Sequence, residues 1–331
     1  MQRRSLLQGA AAALTLRITV NPQLILGAQI NGALQPPATL AALVTATPAG
    51  GTLLLPAGVW SGTSGVTKAC TIAGAGIGQT ILDASGINTG MGVLAPNATG
   101  VVIQDMTIRN ASNADDNGAG IRDNASGEGY TAIRVEFSGN EMGVMSYASP
   151  IVLTDCVFHD NGAGDARSHE MYFNVSGGGS ATLTNVNSTC GTRSTHAVKS
   201  RLATTAISGG TYTQNPDSSP NSVGGSVIDI PDGGAVSIDG ATLIVTESGA
   251  DANNYFIGYA MESIKNLAFG STMTLTNVHL IDGSRTGGII RAGNPAAGAA
   301  HLIIGDGCRY DGAVAPVLMG WASVTGAFVP A

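Results

Sequence analysis

Charged residues are scarce in this chain of 331 residues, because Asp, Glu, Lys and Arg make up only 11% of it, about half the usual share. Aromatic residues are also sparse, at 5%. The formal net charge is −7 and no basic run is present, which argues against nucleic acid as a partner. Where charge is this rare, a place at which charged side chains gather is a candidate for function.

Cysteine pairs and long apolar runs are missing as well. The four cysteines are far apart and show no Cys-x-x-Cys spacing, so a zinc site is not expected, and a buried free thiol is the common state of an isolated strand cysteine. The apolar run near the N-terminus is shorter than the ~20 residues that a spanning helix needs. We therefore expect no membrane span.

The N-terminus reads MQRRSLLQGAAAALTL and joins the pair Arg3 and Arg4 to a short apolar run. This pattern resembles a twin-arginine export signal, although Arg17 interrupts the run and no clear Ala-x-Ala site follows. We expect residues 1–34 to be an export signal or N-terminal extension and the protein to be periplasmic or secreted. A short amphipathic helix is the alternative.

Glycine is abundant, with 47 residues, and 44% of the chain is hydrophobic, which is ample for a core. One short phrase recurs: an apolar residue, any residue, then Asp, Asn or Gly, and another apolar residue within three positions. The copies are IQDMTI (103–108), LTDCVF (153–158), LTNVNS (183–188), ISGGTY (207–212), IDGATL (238–243), LTNVHL (275–280), IGDGCR (304–309) and a degenerate RVEFSGN (134–140).

The recurring phrase predicts a strand, a sharp turn and a second strand, because Asp, Asn and Gly tolerate left-handed backbone angles. One such unit cannot bury its apolar face alone, whereas stacked units can. Hairpin signals are too few for a β-sandwich, and the repeats are too short for propeller blades. The sequence therefore predicts an all-β parallel β-helix, which we expect to be a monomer.

Two further phrases, LPAGVWSG (55–62) and TIAGAG (71–76), resemble the N-terminal coil of the pectate-lyase-like superfamily. The resemblance covers residues 45–310 and implies a single-stranded, right-handed parallel β-helix. It implies no particular activity, because that superfamily contains lyases, hydrolases, epimerases and binding proteins.

The N-terminal end of the solenoid needs a cap, because an open end would expose strand edges. Residues 35–47, with Pro36 and Pro37 at their start, are expected to form this capping helix. We expect residues 51–85 to be the first full coil and residues 35–331 to be the β-helix domain.

The segments between the phrases are expected to stack as one further sheet: GIRD (120–123), MGVMSY (142–147), HEMYFN (169–174), HAVKSR (196–201), SVIDIP (226–231), YFIGY (255–259) and GIIRAG (288–293). Alternation along these strands turns one set of side chains outward: Glu170, Tyr172, Asn174, Lys199, Arg201 and Asp229. Because adjacent coils are about 4.8 Å apart, Tyr172, Lys199 and Asp229 should form a ladder. The alternative is an ordinary cross-strand pair of Lys199 with Asp229, of little energetic value.

His169 and His196 stand at corresponding strand starts, where a hydrogen-bonded structural role is expected for at least one of them. The cofactor is left open by the sequence. Oxygen atoms of Glu170 or Asp229 could hold calcium, but no ligand loop is recognisable and no other metal is indicated. The Asp115-Asp116 pair is expected to lie in a solvated turn.

The segment Val198-Lys199-Ser200-Arg201 resembles a strand of the polysaccharide lyase family that includes chondroitinase B and alginate lyases. The resemblance implies that Lys199 removes the proton α to a uronate carboxylate, while Arg201 stabilises the enolate or protonates the leaving oxygen. A lysine base needs a lowered pKa, which Arg201 would favour. The second arginine of that family has no clear equivalent, with Arg291 as a candidate.

HEMYFNV, HAVKSR and IDIPDGG also resemble phrases of exported bacterial β-helix proteins, a resemblance that does not settle their role. From the ladder and the resemblance to the lyase family together, we predict two sets of site residues. The predicted catalytic residues are Lys199, Arg201, Tyr172 and His196. The predicted substrate-binding residues are His169, Glu170, Asn174, Asp229 and Asp232. The paired aspartates and Gly-His-Gly phrase of β-helix polygalacturonases are absent, as is the Trp-x-Asp-His phrase of the main pectate lyases.

Three functions remain open from the sequence. The first is a polysaccharide lyase or related carbohydrate-active enzyme that acts on a uronate-containing polymer by β-elimination. The second is a non-catalytic carbohydrate-binding β-helix, and the third is a structural surface or virion protein. The first two share a polysaccharide as the expected partner.

Overall fold

The computed structural model describes residues 24–90, 92–123, 128–164, 167–175, 177–190, 194–214, 225–246, 255–283, 288–293 and 299–331. Over these residues the chain forms a right-handed parallel β-helix, which confirms the predicted fold class. Each coil contributes three strand positions, and each strand pairs in parallel with its equivalent in the next coil. We call the three resulting surfaces face 1, which begins with the strand Thr52–Leu54, face 2, which begins with the strand Gly58–Trp60, and face 3, which begins with the strand Ser64–Val66.

The N-terminal region consists of the hairpin β1 (Gln29–Ile30) and β2 (Ala33–Leu34) followed by helix α1 (Leu40–Ala46). The strands of the coils are, in chain order, β3 (Thr52–Leu54), β4 (Gly58–Trp60), β5 (Ser64–Val66), β6 (Thr71–Ala73), β7 (Thr80–Asp83), β8 (Gly92–Pro96), β9 (Val101–Arg109), β10 (Ala119–Arg122), β11 (Tyr130–Ser138), β12 (Met142–Ser146), β13 (Ile151–Thr154), β14 (Val157–His159), β15 (Met171–Phe173), β16 (Ser180–Thr184), β17 (Asn187–Thr189), β18 (Val198–Ser200), β19 (Thr204–Ser208), β20 (Thr211–Gln214), β21 (Ser226–Ile230), β22 (Ala235–Asp239), β23 (Thr242–Val245), β24 (Tyr255–Tyr259), β25 (Thr272–Thr276), β26 (His279–Asp282), β27 (Ile289–Ala292), β28 (His301–Ile304), β29 (Arg309–Asp311), β30 (Val317–Met319), β31 (Ser323–Thr325) and β32 (Val329–Pro330). A short 3-10 helix covers Leu267–Phe269.

The recurring phrase forms the corner between face 1 and face 2. Asp105, Asp155, Asn185 and Asn277 hold this corner with positive φ angles of 52–59°, the left-handed region that Asp and Asn tolerate best among residues with a side chain. The predicted strand, turn and strand are therefore confirmed at these copies. At these four copies the corner residue lies between the part of the chain on face 1 and the part on face 2.

The degenerate copy starts earlier than predicted, at Ala132 instead of Arg134. Ile133 lies opposite Gln104 and Val135 opposite Met106, so Arg134 occupies the corner position itself with a φ of 51°. Its Nε donates to Asp105 Oδ1 of the preceding coil at 2.6 Å. This ion pair holds an arginine at a position that Asp or Asn fills elsewhere.

The core is a set of stacked apolar columns inside the coils. One column is built from the first apolar residue of each phrase: Ile103, Ala132, Leu153, Leu183, Ile207, Ile238, Leu275 and Ile304. All of them are buried, and a fully buried aliphatic side chain is worth about 1.5–3 kcal/mol. The apolar positions of the phrase are thus explained by the fold.

The N-terminal cap differs from the prediction in its bounds. Helix α1 begins at Leu40, after the N-cap residue Thr39, whose Oγ1 accepts a hydrogen bond from the amide of Ala42 at 3.2 Å. Pro36 and Pro37 lie before the helix instead of in its first turn. The folded region also starts before residue 35, because Ile25 is already fully buried in the core. Residues 1–23, with the predicted export signal, lie outside the described residues.

The first coil is shorter than the predicted 51–85. Leu53 in β3 lies opposite Ile72 in β6, so the second coil already begins at β6. Residues 51–85 contain the first coil and two strands of the second. The coils also extend past residue 310, to β32.

Cys70, Cys156, Cys190 and Cys308 are all buried free thiols, which agrees with the common state of isolated strand cysteines. Within the described part of the chain, no helix is both long and apolar enough to span a membrane.

Candidate functional site

Face 3 brings the predicted ladder together. Tyr172 in β15 lies opposite Lys199 in β18, and Lys199 lies opposite Asp229 in β21, so the predicted register is confirmed. The ladder is part of a longer column, which reads in coil order Arg122, Met145, Tyr172, Lys199, Asp229, Gly258 and Arg291. Arg291 lies two coils beyond Asp229, and its Nη1 donates to the hydroxyl of Tyr255 at 3.2 Å.

Lys199 is held between two carboxylates. Its Nζ lies 2.7 Å from Glu262 Oε1 and 3.2 Å from Asp229 Oδ2, and only 13% of its side chain is exposed. Burial opposes the charged ammonium, but Asp229 and Glu262 outweigh burial and raise the pKa of Lys199 above its ordinary value. Arg201 does act to lower this pKa, as expected, but the two carboxylates reverse the net direction. Lys199 is a cation at neutral pH.

The guanidinium group of Arg201 donates hydrogen bonds to three side chains. Nε donates to the hydroxyl of Tyr172 at 3.1 Å, Nη1 donates to Asp232 Oδ1 at 2.8 Å, and Nη2 donates to Glu262. Burial works against the charge of Arg201, but Glu262 and Tyr172 raise its pKa further above the ordinary value. Arg201 therefore stays charged, so that proton donation from Arg201 to a leaving oxygen, as the sequence implied, is unfavourable. Its predicted outward direction is confirmed.

Glu262 is the member of this cluster that sequence reasoning missed. It follows β24, two coils beyond Lys199, and the amides of Glu262 and Ser263 both donate to the carbonyl of Pro231. Asn266, further along the segment, donates to the carbonyl of Arg201 at 2.8 Å. Residues 261–270 thus cross the intervening coil and place a carboxylate over two cations. The one available signal was the long spacing between the phrases at 238–243 and 275–280.

His169 and His196 lie side by side, with ring centroids 4.9 Å apart. Nδ1 of His169 is 2.9 Å from the hydroxyl of Thr195, and Nδ1 of His196 is 2.9 Å from the carbonyl of Ser226. Burial lowers the pKa of both rings below the ordinary value. Both histidines are therefore hydrogen-bonded, as expected for at least one, and both are neutral at neutral pH.

These side chains line an open cleft of about 380 Å³ on face 3. Four predicted site residues contribute to its wall: His169, Tyr172, His196 and Lys199. Met142 and Met145, which pack against Tyr172, give the cleft an apolar part. Asp115 is exposed, as its predicted solvated turn requires, but it also lines the cleft.

Glu170 does not point outward as predicted. It is fully buried and accepts a hydrogen bond from Asn161 inside the coil. The reason is that β15 begins only at Met171, so the alternation of the strand does not extend back to residue 170. Asn174 is half-buried beyond the end of β15 and lies outside the cleft lining, and Asp232 is buried behind Arg201.

The expected calcium ligands do not converge on one site. Glu170 lies with Asn161 inside the coil, whereas Asp229 contacts Lys199 on face 3. Among the residues that the structure describes, no group of three or more His, Cys, Asp or Glu side chains is arranged to hold a metal ion.

Comparison with known proteins finds similarity to solved structures at low identity. No family model matches the chain, and no curated protein matches it. The A-module of the mannuronan C-5 epimerase AlgE6 from Azotobacter vinelandii is a similar solved structure, with 16% identity, a TM-score of 0.43 and coverage of 85% of this chain and 91% of that chain. The A-module of AlgE4 from the same organism has 15% identity, a TM-score of 0.38 and coverage of 85% and 90%. At such low identity the similarity does not identify a reaction.

Proposed function

We propose that the protein is a carbohydrate-active enzyme that removes the proton α to the carboxylate of a uronate residue in a polysaccharide and completes a β-elimination. One observation carries the proposal. A single cleft holds a protonated lysine, two neutral imidazoles and a phenol, namely Lys199, His169, His196 and Tyr172. These are a cation for a carboxylate, bases for a carbon acid and an acid for a leaving oxygen.

The first step needs a cation and a base. The proton α to a carboxylate is very weakly acidic, so the negative charge that develops on the carboxylate oxygens must be stabilised. Lys199 supplies a fixed positive charge for this, and a neutral imidazole of the cleft takes the proton. The role of base thus passes from Lys199, as the sequence implied, to a histidine.

The second step needs an acid. The electron pair left on the α carbon forms a carbon–carbon double bond as the bond from the β carbon to the glycosidic oxygen breaks, and that oxygen takes a proton. Arg201 donates its Nε hydrogen to the oxygen of Tyr172, so the hydroxyl hydrogen of Tyr172 remains free to be donated. Arg201 then stabilises the phenolate that is left. Solvent returns both groups to their starting protonation states.

Glu262 decides how a uronate reaches Lys199. The cluster contains two cations, Lys199 and Arg201, and three carboxylates, Asp229, Asp232 and Glu262. The side chain of Glu262 is 47% exposed, against 9% for Asp229 and 1% for Asp232. A substrate carboxylate therefore shares Lys199 with Glu262, while the two aspartates keep the cations in place.

The test is turnover of a panel of uronate polysaccharides in deuterated buffer, with and without calcium. Ultraviolet absorbance reports the unsaturated product of elimination, and mass spectrometry reports deuterium at the α carbon. Lys199→Ala should lower turnover by about 10²–10³-fold, the usual cost of losing one charge-stabilising group. Lys265→Ala is the matched control, because Lys265 is exposed and its side chain is outside the cleft lining.

Each outcome separates the candidate functions. Unsaturated product together with the loss in Lys199→Ala supports the proposal. Deuterium uptake without unsaturated product would mean that the enzyme inverts the α carbon and does not complete an elimination. Binding of a polymer without either signal replaces the enzyme by a non-catalytic carbohydrate-binding β-helix. Equal turnover of Lys199→Ala and the wild type would remove Lys199 from the site.

A further inference from the structure

The hydroxyl of Thr195 contacts the ring of His169 from the next coil. Its Oγ1 lies 2.9 Å from Nδ1 of His169 and 2.6 Å from the carbonyl oxygen of Ser168. A hydroxyl has one hydrogen, and a carbonyl oxygen can only accept. The hydrogen of Thr195 therefore points to Ser168, and towards His169 the hydroxyl oxygen accepts.

We infer that Thr195 fixes His169 as the tautomer with hydrogen on Nδ1 and a lone pair on Nε2, and that Nε2 of His169 is the base for the α proton. The second half of this inference rests on the proposed function. Thr195 touches no substrate and is a positioning residue. In a neutral imidazole the hydrogen bond at one nitrogen sets the state of the other.

The surroundings of His169 keep Nε2 available. The ring is buried to 4% exposure but lines the cleft, and among the described residues Nε2 has no hydrogen-bond partner. Burial and the positive charges of Lys199 and Arg201 favour the neutral ring, and His196 also faces it. The ring of Tyr172 meets it edge-on at 5.4 Å. Arg167 and Asp115 line the same cleft.

The tautomer of His196 is set by different groups. Its Nδ1 lies 3.0 Å from the amide nitrogen and 2.9 Å from the carbonyl oxygen of the same residue, Ser226. The amide would donate to an unprotonated Nδ1, whereas the carbonyl would accept from a protonated one. Either tautomer of His196 is therefore hydrogen-bonded. Oδ2 of Asp229 lies 3.7 Å from Nε2 of His196 and favours the tautomer with hydrogen on Nε2, whose lone pair at Nδ1 faces Ser226. His169 is the histidine whose lone pair lies on Nε2, and it is therefore the base.

A clean variant of Thr195 is available. The amide of Thr195 also donates to the carbonyl of Ser168, at 2.9 Å, so that carbonyl keeps a partner when the hydroxyl is removed. Thr195→Val removes the hydroxyl at nearly constant shape, and Thr195→Ser keeps it. Any effect of Val that Ser does not share therefore comes from the hydroxyl.

The tautomer can be measured without substrate, by nitrogen NMR of the histidine rings, with the His169 signals assigned by their loss in His169→Gln. We expect a protonated Nδ1 and an unprotonated Nε2 in the wild type and in Thr195→Ser. In Thr195→Val a large fraction should carry the proton on Nε2. A protonated Nε2 in the neutral wild-type ring, or no change in Thr195→Val, would overturn the inference.

The role as base is measured by kinetics on the polymer that the wild type degrades. Thr195→Val should lower kcat about 10- to 100-fold and leave KM within about twofold, because the lone pair moves away from the substrate without loss of a binding contact. Thr195→Ser should restore kcat, and the acidic limb of the pH profile should vanish in the residual activity of His169→Gln. Equal losses in the Val and Ser variants would overturn the positioning role. Absence of turnover in the wild type would refute the proposed function, and the NMR result would still decide the tautomer.

Discussion

Two ion pairs of this protein have similar geometry and very different surroundings. On the corner between face 1 and face 2, Arg134 and Asp105 are 2.6 Å apart, with side-chain exposures of 50% and 24%. On face 3, Arg201 and Asp232 are 2.8 Å apart, with exposures of 18% and 1%. An exposed pair is worth about 0–1 kcal/mol, whereas a buried charge that loses its partner is costly. Burial, not distance, distinguishes the corner pair from the pair on face 3.

The corner position does not need a charge. Asn185 and Asn277 fill it in other coils with the same left-handed backbone, so Asp105 is there for its conformation and the ion pair with Arg134 is an addition. On face 3, by contrast, nothing in the repeat requires Lys199, Arg201 or their carboxylates. The same residue types are therefore part of the fold at the corner and an addition to it on face 3.

The largest expected effect comes from removing one carboxylate in each region. Asp232→Asn should lower the free energy of unfolding by about 2–3 kcal/mol, somewhat less than the 3–5 kcal/mol of a fully buried pair, because Arg201 keeps Glu262. Asp105→Asn keeps the favoured corner residue and should cost less than about 1 kcal/mol. Denaturant unfolding of both variants measures the difference.

Unfolding of the same two variants can contradict this difference between the two ion pairs. Losses of equal size would mean that burial does not set the value of these ion pairs. A larger loss of unfolding free energy in Asp105→Asn than in Asp232→Asn would mean that the corner pair contributes more to stability than the pair on face 3. Double variants with Arg134→Gln and Arg201→Gln complete the cycles and isolate each pair energy.

What the sequence could predict follows from how local each interaction is. The corner and the core column depend on a few neighbouring residues, such as Leu183 and Asn185, and the same local pattern recurs in successive coils over residues 103–309. The ladder of Tyr172, Lys199 and Asp229 required only the strand period and the order of coils.

The errors have equally specific causes. The predicted outward direction of the Glu170 side chain was wrong because the alternation of inward and outward side chains does not extend before Met171, the first residue of the strand. Glu262 contacts Lys199 across 63 residues of sequence, and no periodic pattern connects them. The predicted net direction of the pKa shift of Lys199 was wrong partly for the same reason, since Glu262 adds to the effect of Asp229 in raising this pKa. Tertiary contacts of this kind have no signature in a single sequence.

The pH dependence of stability should have opposite signs for His159 on face 2 and His169 on face 3. His159 on face 2 contacts Asp160 and Glu136; burial opposes its charge, but the carboxylates raise its pKa above the ordinary value of about 6.5. Its stabilisation is full below about pH 6.5 and is lost as the pH rises through the raised pKa. His169 has a lowered pKa, so its stabilisation is present above about pH 6.5 and is lost as the pH falls towards the lowered value.

Unfolding of His159→Gln and His169→Gln between about pH 5 and about pH 8 tests these signs. His159→Gln should lose most stability, relative to the wild type, at the acidic end. His169→Gln should lose most at the basic end and be less sensitive to acid than the wild type. Two variants with the same pH dependence would contradict the opposite pKa shifts of the two rings.

The smallest expected effect distinguishes the exposed carboxylate of face 3 from one on face 2. Glu262→Gln keeps the shape of the side chain but removes the negative charge that competes for Lys199, so KM for an anionic polymer should fall by about three- to tenfold, the value of one partly exposed ion pair. Added salt should reduce this gain, because screening acts on exposed charges. Glu136→Gln, which removes an equal charge beside His159, should leave KM unchanged. A higher KM in Glu262→Gln would mean that the polymer binds through Glu262 itself, and the substrate would then be a hydroxyl-rich neutral glycan instead of a uronate.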